Sequence, residues 1–170
     1  MVVATPILTP RLELRSMQAE HAALVWSIWG DLEMGKYLAD EYYESPEVLE
    51  ELFCDVDDWP DYSFVAFCRE TGQFIGTCSI GPEGPEGSWG FGYCVTKAYW
   101  GQGFATEMAS ALMDFIRAQG VRDFSCTVAT ENVASCRVME KCGLHFDHHD
   151  SFKKRGTELV YQSNIYRLHV

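Results

Sequence analysis

The sequence has few basic residues, no long hydrophobic run and no closely spaced cysteine pair. Lys and Arg number 13 against 25 Asp and Glu, a net charge of −12, which argues against a nucleic-acid-binding protein. No apolar run approaches the ~20 residues of a membrane-spanning helix, and the first residues lack the basic and apolar regions of a signal peptide. We therefore expect a soluble, cytoplasmic protein with no nucleic-acid or membrane partner.

Metal and disulfide chemistry are not indicated by the cysteines and histidines. The seven cysteines are an odd number, and none forms a Cys-x-x-Cys pair. Most lie in apolar, strand-like runs such as 64–68, so we interpret them as reduced core residues. His145 stands close to His148 and His149, but the latter two point to opposite faces of a strand. No metal is expected.

The composition fits one domain that spans residues 1–170. Hydrophobic residues make up 47% of the chain, enough for a sizeable core at this length. Strand-like and helix-like segments alternate without a repeat or a linker. Strands are predicted at 11–15, 62–69, 74–80, 89–95 and 123–129, helices at 18–29, 46–57, 105–118 and 133–142, a loop at 81–87, and two antiparallel strands in the tail around a basic turn at 153–156. We predict an α+β fold with a mixed sheet.

Most of the acidity is concentrated in residues 31–61. This segment contains 12 acidic residues and one base, Lys36, whereas the rest of the chain has 13 acids and 12 bases. A concentrated negative field attracts cationic partners. A solvated helix face that keeps the protein soluble is the alternative interpretation.

Two glycines, Gly101 and Gly103, separate a predicted strand from a predicted helix. Free N–H groups and the helix macrodipole favour phosphate at such a position. The segment lacks both the Gly-x-x-x-x-Gly-Lys-Ser/Thr motif and the third glycine of the dinucleotide fingerprint. Taken alone, the glycines indicate either a phosphate cradle or a tight turn.

Three segments taken together resemble the GNAT superfamily of acetyl-CoA-dependent N-acetyltransferases. They are 91–95 (FGYCV), 99–107 (YWGQGFATE) and 132–144 (NVASCRVMEKCGL). More narrowly, the chain resembles the branch of ribosomal-protein N-terminal acetyltransferases (RimJ/RimL-like), and the element order matches nearly the whole chain. The resemblance implies a GNAT-like fold, with a central, mixed, mostly antiparallel sheet that is splayed at its middle strands and flanked by helices.

The resemblance also implies how acetyl-CoA, as cosubstrate, would bind. Its pantetheine would lie in the splayed gap against the backbone of Tyr93, Cys94 and Val95, with Cys94 and Val95 donating to the oxyanion. The residues implied around the pyrophosphate are Trp100, Gly101, Gln102, Gly103, Phe104 and Ala105, with Thr106 opening the helix. Relatives usually have Gln or Arg where this chain has Trp100, a change that a grip through backbone groups tolerates at some cost in affinity.

Two catalytic residues are implied by the last of the three segments. Asn132 matches an asparagine that contacts the cofactor or the reacting amide, and it also fits a helix N-cap. Ser135 matches a serine near the cofactor sulfur, where it would protonate the leaving thiolate, although it also fits an ordinary first-turn residue. Tyr166 is an alternative acid that fits an ordinary strand position better.

The general base is left open by the sequence. Many relatives carry a glutamate on the fourth predicted strand just before the Gly-Tyr pair, where this chain has Gly90. Glu83, Glu86 and the acidic segment acting through water are the alternatives. A further alternative is that the chain has no base because it binds the cofactor but has lost catalysis.

The expected reaction is direct acetyl transfer from acetyl-CoA to a primary amine, without a metal or a covalent enzyme intermediate. In this family the first helices line the acceptor side, so acids such as Asp40, Glu44 and Glu47 would attract a cationic protein N-terminus, polyamine or other small amine. Trp26, Trp29 and Trp59 belong either to that pocket or to the core. The rival is a non-catalytic acyl-CoA-binding sensor or interaction module. The oligomeric state is left open, with a homodimer as one alternative because relatives are often dimers.

Overall fold

A computed structural model describes residues 1–40, 42–85 and 87–170, and for Asp57 only the backbone. Within these ranges the chain forms eight β-strands and four α-helices. In chain order they are β1 (Ile7–Leu8), β2 (Leu12–Ser16), α1 (Ala22–Trp29), α2 (Pro46–Phe53), β3 (Tyr62–Cys68), β4 (Phe74–Pro82), β5 (Ser88–Val95), α3 (Phe104–Arg117), β6 (Asp123–Ala129), α4 (Val133–Lys141), β7 (His145–Lys153) and β8 (Val160–His169). Glu86, one of the candidate bases, lies outside the described residues.

The strands form a single sheet in the order β1-β2-β3-β4-β5-β6-β8-β7. Every neighbouring pair is antiparallel except β5 and β6, which run parallel. No helix among the described residues is long and apolar enough to cross a membrane. The predicted α+β fold with its mostly antiparallel mixed sheet is confirmed.

The sheet is split between β5 and β6. The two strands pair only at their beginnings, through Ser88 with Asp123 and Trp89 with Phe124. Beyond those pairs β5 continues to Val95 and β6 to Ala129, but the two strands no longer pair with each other. Because the two strands run in the same direction, the unpaired parts of both lie side by side toward their C-terminal ends.

The two faces of the sheet carry different helices. On one face α3 packs over the central strands and buries Met108, Leu112 and Ile116 in the larger core cluster. On the other face α1 and α2 form a smaller cluster around Val25 and Phe53. In α1 and α2, apolar residues at helical spacing form the face that packs against the sheet. The split in the sheet therefore connects two differently built surfaces.

The predicted boundaries differ from the structure at two places that matter for the site. The loop predicted at 81–87 is shorter, because Gly81 pairs with Gly90 and Pro82 with Trp89, so β4 continues to Pro82. Glu83 follows directly, and its N–H donates to Ser88 O at 3.0 Å. The basic turn predicted at 153–156 instead spans residues 154–159, since β7 continues to Lys153 and β8 begins at Val160. Arg155 and Gly156 in this turn are exposed, but Lys154 is fully buried.

Candidate active site

A cavity of about 830 Å³ opens where β5 and β6 separate. Gly92 and Cys94 on β5, Val128 on β6 and Ser135 on α4 line its floor. Its walls come from the α1–α2 side and from the turn between β7 and β8, through Trp29, Tyr43, Trp59, Phe152 and Arg155. A space of this size accommodates a small-molecule substrate.

Backbone groups of β5 alternate between β4 and the gap. Thr96 N–H donates to Ile75 O, and Glu83 N–H donates to Ser88 O. The backbone N–H and C=O groups of the even-numbered residues of β5 therefore point toward β4. Phe91 N–H points the other way, toward Cys126 Sγ on β6 at 3.5 Å. By the two-residue period, Tyr93 and Val95 N–H face the gap. The prediction that Cys94 N–H holds the oxyanion is therefore wrong, because that group lies in the β4 ladder.

Side chains of β5 also alternate, between the two faces of the sheet. Phe91 and Val95 belong to the core cluster beneath α3, and Tyr93 packs against it. Cys94 points to the α1–α2 face, where its Sγ donates to Met34 O at 3.3 Å. Burial raises the pKa of Cys94 to about 12, which keeps it a thiol and unsuited as a nucleophile.

The predicted acid Ser135 is part of a hydroxyl pair. Its Oγ lies 2.7 Å from Tyr93 Oη, which joins the first turn of α4 to β5. Ser135 N–H donates to Asn132 Oδ1 at 3.2 Å, so Asn132 is the N-cap of α4, and both residues line the cavity. Burial raises the pKa of Tyr93, which keeps its hydroxyl protonated. Tyr166, the alternative acid, is instead a buried core residue on β8.

The glycine loop has the backbone of an open anion cradle. Gly101 and Gly103 have φ angles of 73° and 82°, a left-handed conformation that other residues adopt only with strain. Gly103 is the N-cap of α3, so the N–H groups of Phe104, Ala105 and Thr106 precede the first intrahelical bond, which Glu107 N–H makes to Gly103 O at 3.1 Å. The helix thus begins at Phe104, two residues before Thr106.

Two side chains fix this loop from outside. Trp100 Nε1 donates to Val95 O at 2.6 Å and so joins the loop to the end of β5. Arg11 donates to Gln102 O at 3.0 Å and lies over the Phe104 ring. Both Arg11 and Trp100 are partly exposed beside the loop.

Glu107, in the first turn of α3, is held by the segment before β2. Its carboxylate accepts hydrogen bonds from Thr9 Oγ1 at 2.6 Å, Arg11 N at 2.9 Å and Arg11 Nε at 2.6 Å. Burial alone would raise the pKa of Glu107, but these hydrogen bonds outweigh it and lower the pKa. The pairing compensates a negative charge beside the cradle.

Two carboxyl groups face the cavity next to facing glycines of β4 and β5. A Cβ built on Gly90 would overlap Glu83 Oε2, and one on Gly81 would overlap Asp61 Oδ1. Gly81 and Gly90 are direct register partners, so both carboxyl groups lie on the same face of the sheet. Burial raises the pKa of both Asp61 and Glu83.

Most of the acidic segment faces away from the cavity. Glu44 and Glu47 are exposed and do not line it. Asp40 does line it, but pairs bidentately with Arg155, whose Nε and Nη2 lie 2.5 and 2.7 Å from its carboxylate oxygens. The solvated-face interpretation therefore fits most of these acids. The carboxyl groups that the cavity does present are those of Asp61 and Glu83, together with the paired Asp40.

The tryptophans and cysteines divide between the site and other places. Trp29 and Trp59 line the cavity, and Trp29 Nε1 donates to Thr77 Oγ1 at 3.1 Å. Trp26 is 37% exposed and donates to Tyr43 O instead. All seven cysteines are free; Cys78, Cys94 and Cys126 are buried, but Cys54 is exposed, which contradicts its interpretation as a core residue. No group of three metal-ligating side chains occurs in the described part of the chain.

Two contacts that shape the site have no recognisable signal in the sequence. Arg11 and Glu107 are 96 residues apart, and only the fold brings them together. Lys154 Nζ donates to Gly35 O at 2.9 Å and to Lys36 O at 3.3 Å, which docks the β7–β8 turn onto the acidic segment. A lysine in a basic turn is ordinarily exposed, so no local signal marks this one as buried.

Comparison with known proteins identifies similar chains. A family model described as an acetyltransferase (GNAT) domain matches residues 11–145. An uncharacterized N-acetyltransferase, p20 of Bacillus licheniformis, is 26% identical over 166 residues, covering 94% of this chain and 89% of that protein.

Solved acetyltransferase structures share the fold along almost the whole chain, which together with the family model confirms the predicted GNAT-like fold. A spermidine N-acetyltransferase from Vibrio cholerae, in complex with CoA and spermine, has a TM-score of 0.80 at 20% identity and covers 95% of this chain and 96% of its own. A ribosomal-protein-S5-alanine acetyltransferase from Vibrio fischeri has a TM-score of 0.80 at 13% identity, with 97% and 96% covered.

Proposed function

Because the chain belongs to the GNAT family of acetyl-CoA-dependent acetyltransferases, we propose that it transfers the acetyl group directly to a primary amine in the cavity between β5 and β6. The observation that carries this proposal is the split sheet. The gap gives access from both faces, with the glycine loop and α4 on one side and the acidic, aromatic cavity wall on the other. Donor and acceptor can thus meet without sharing an entrance.

The glycine loop, the start of α3 and the gap side of β5 have the groups needed to bind acetyl-CoA. The left-handed glycines leave open space above the loop, since a Cβ on Gly101 would meet no atom within 4 Å. The free N–H groups at the start of α3 suit a pyrophosphate, and gap-facing Tyr93 and Val95 N–H groups suit the pantetheine and the thioester oxygen. Bound there, acetyl-CoA supplies an acetyl group activated as a thioester.

The hydroxyl pair suits the acid role. We assign proton donation to the leaving sulfur to Ser135, with Tyr93 as its hydrogen-bond partner. A thiol has an ordinary pKa of about 8.5, so the thiolate is a good leaving group that needs little acid assistance. A neutral hydroxyl beside the sulfur is sufficient for this task. Asn132 orients Ser135 by capping the helix on which it lies.

The cavity favours a cationic acceptor. Asp61 and Glu83 supply negative charge, and the aromatic rings of Trp29, Tyr43 and Trp59 offer cation–π surfaces. One similar structure is that of a spermidine acetyltransferase and another that of a ribosomal-protein acetyltransferase, which supports a polyamine or a protein N-terminus as acceptor. We propose that the acceptor is an amine that carries a second positive charge. It is either a polyamine or a protein N-terminus, and the latter is the acceptor expected for a member of the RimJ/RimL-like branch.

The test is release of CoA from acetyl-CoA with matched amines. A diamine such as 1,4-diaminobutane is compared with n-butylamine, and both with peptides that begin with Ser or Ala. We expect a KM about 5-fold or more lower for the diamine, corresponding to about 1 kcal/mol, and loss of that advantage in Asp61→Asn. Binding of acetyl-CoA without transfer to any amine would contradict the proposal.

A further inference from the structure

Gly90 leaves β5 without a side chain where the gap opens into the cavity. A Cβ at this position would lie 2.7 Å from Glu83 Cδ and 2.7 Å from Ser125 O, and would overlap Glu83 Oε2. The carboxyl group of Glu83 therefore fills the volume that a side chain at position 90 would occupy. The residue that follows the neighbouring strand thus places a carboxyl group beside position 90.

The end of β4 explains how Glu83 reaches this place. Pairing of Gly81 with Gly90 extends β4 to Pro82, and the bond from Glu83 N–H to Ser88 O holds the next residue at the strand end. Gly84, with φ of 76°, then turns the chain away. Glu83 is thereby fixed by the β-ladder and not by a flexible loop.

The surroundings of Glu83 suit a proton acceptor. Thr127 on β6, across the gap, lines the cavity together with Glu83, and its backbone and side chain act to lower the pKa of Glu83. No salt bridge to Glu83 occurs among the described residues. Within these residues the carboxyl group thus has no permanent positive partner.

The acid and this carboxyl group lie on opposite faces of the split sheet. Tyr93 and Ser135 are on the α3–α4 face, whereas Gly90 shares the α1–α2 face with Cys94. An amine that enters from the α1–α2 side meets Glu83 before it meets the gap. The leaving sulfur would then depart toward Ser135.

We propose that Glu83 is the general base of the transfer reaction. As the acceptor nitrogen forms its bond to the acetyl carbon and the C–S bond breaks, Glu83 takes one proton from the nitrogen, directly or through one water, while the sulfur receives a proton from the Ser135 side. This assignment rests on the proposed acetyl transfer. Glu83 would then be the carboxylate that accepts the proton, since Gly90 has no side chain to do so.

The pH dependence follows from the groups around Glu83. Burial raises its pKa, Thr127 opposes this, and the negative charge of Asp61 raises it further. The buried thiol of Cys126 on β6 interacts electrostatically with Glu83, while Arg155 and the Met1 ammonium act on Asp61. The active form is the carboxylate, so transfer should increase as the pH rises through this raised pKa.

The first experiment compares wild type with Glu83→Gln in kcat, KM and the pH profile of kcat/KM. We expect kcat to fall by about 100-fold or more, with the dissociation constant of acetyl-CoA unchanged. The variant should also lose the acidic limb assigned to Glu83. The titration of the amine is common to both proteins, so the difference between the profiles isolates the carboxyl group.

A second experiment moves the carboxylate back onto β5. Glu83→Ala removes the carboxyl group that a Cβ at position 90 would overlap, whereas Ser125 O, 2.7 Å from that Cβ, has to shift in any variant with a side chain there. The double variant Glu83→Ala/Gly90→Glu is therefore compared with Glu83→Ala/Gly90→Gln, in which this shift is the same. We expect the glutamate variant to regain at least about 10-fold in kcat over Glu83→Ala, and the glutamine variant to regain none. Thermal unfolding and acetyl-CoA binding verify that all three are folded.

The outcomes separate the two proposals. Wild type that binds acetyl-CoA but acetylates no amine overturns the proposed function and the base with it. Wild type that acetylates amines while Glu83→Gln keeps its rate and pH profile overturns the base alone. Equal recovery by the two double variants also overturns it, since position 90 would then act through packing.

Discussion

Tyr93 and Ser135 form a contact that connects the end of a strand with the start of a helix. Their oxygens lie 2.7 Å apart, and both residues line the cavity. Asn132 accepts the backbone N–H of Ser135 and so fixes the first turn of α4, while the contact with Tyr93 Oη holds the hydroxyl itself. A hydroxyl pair held in this way acts as one unit.

We expect Ser135→Ala and Tyr93→Phe each to lower kcat, Ser135→Ala by roughly 10-fold, with little change in acetyl-CoA affinity. Because the two hydroxyls act together, the double variant should lose little more than Ser135→Ala alone. Steady-state kinetics of the four proteins test this. Independent, multiplying losses would contradict a shared role.

At the scale of elements, α3 is anchored through its first turn. Thr9 and Arg11, before β2, hold the Glu107 carboxylate and so fix the helix that carries the glycine loop. Hydrogen bonds lower the pKa of Glu107 below its ordinary value of 4.5. A carboxyl group with a lowered folded-state pKa adds stability above its unfolded pKa and loses it as the pH falls.

Glu107→Gln should therefore lower the free energy of unfolding at pH 7 by on the order of 1 kcal/mol, and the difference from wild type should shrink below about pH 4. Urea unfolding across this range measures it. Glu140→Gln, at an exposed position on α4, is the control and should stay within about 0.5 kcal/mol. A difference that grows with falling pH would refute the assignment.

The turn between β7 and β8 is anchored by a buried lysine. Lys154 donates to two carbonyls of the segment after α1 and lies 4.3 Å from the centre of the Tyr42 ring. Burial lowers the pKa of Lys154, while Asp40 opposes this. The contact closes one wall of the cavity.

Lys154→Met keeps the apolar stem but leaves the carbonyls of Gly35 and Lys36 without this donor. We expect a loss of about 1–3 kcal/mol in unfolding free energy and faster amide exchange in residues 34–40. The matched control is Lys153→Met, since Lys153 is exposed and pairs with Glu158. Similar behaviour of the two variants would mean that the docking contributes nothing.

The elements were more predictable than their contacts. β6 lies at Asp123–Ala129 as its apolar pattern predicts, and α3 begins one residue before the predicted start. The end of β4 was missed because Gly81 and Pro82 favour a loop locally, whereas pairing with β5 decides their structure. The relation of Glu83 to Gly90 depends on that register and could not be predicted from either segment alone.

The whole molecule places different chemistry on the two faces of one split sheet. The glycine loop, α3 and α4 lie on one face, and the acidic and aromatic cavity wall on the other. The gap between β5 and β6 is the connection. This arrangement explains how a large donor and a cationic acceptor would reach one point from opposite sides.

The most direct test of this account is thermal unfolding with acetyl-CoA, with CoA and with neither, at one protein concentration. Ligand at 100 times its dissociation constant stabilises a folded protein by about 2.7 kcal/mol, which corresponds to an increase of roughly 5–10 °C in Tm at this size. We predict such an increase with both ligands. No increase with either would mean that the glycine loop and the gap do not hold the donor, and would contradict the account at its centre.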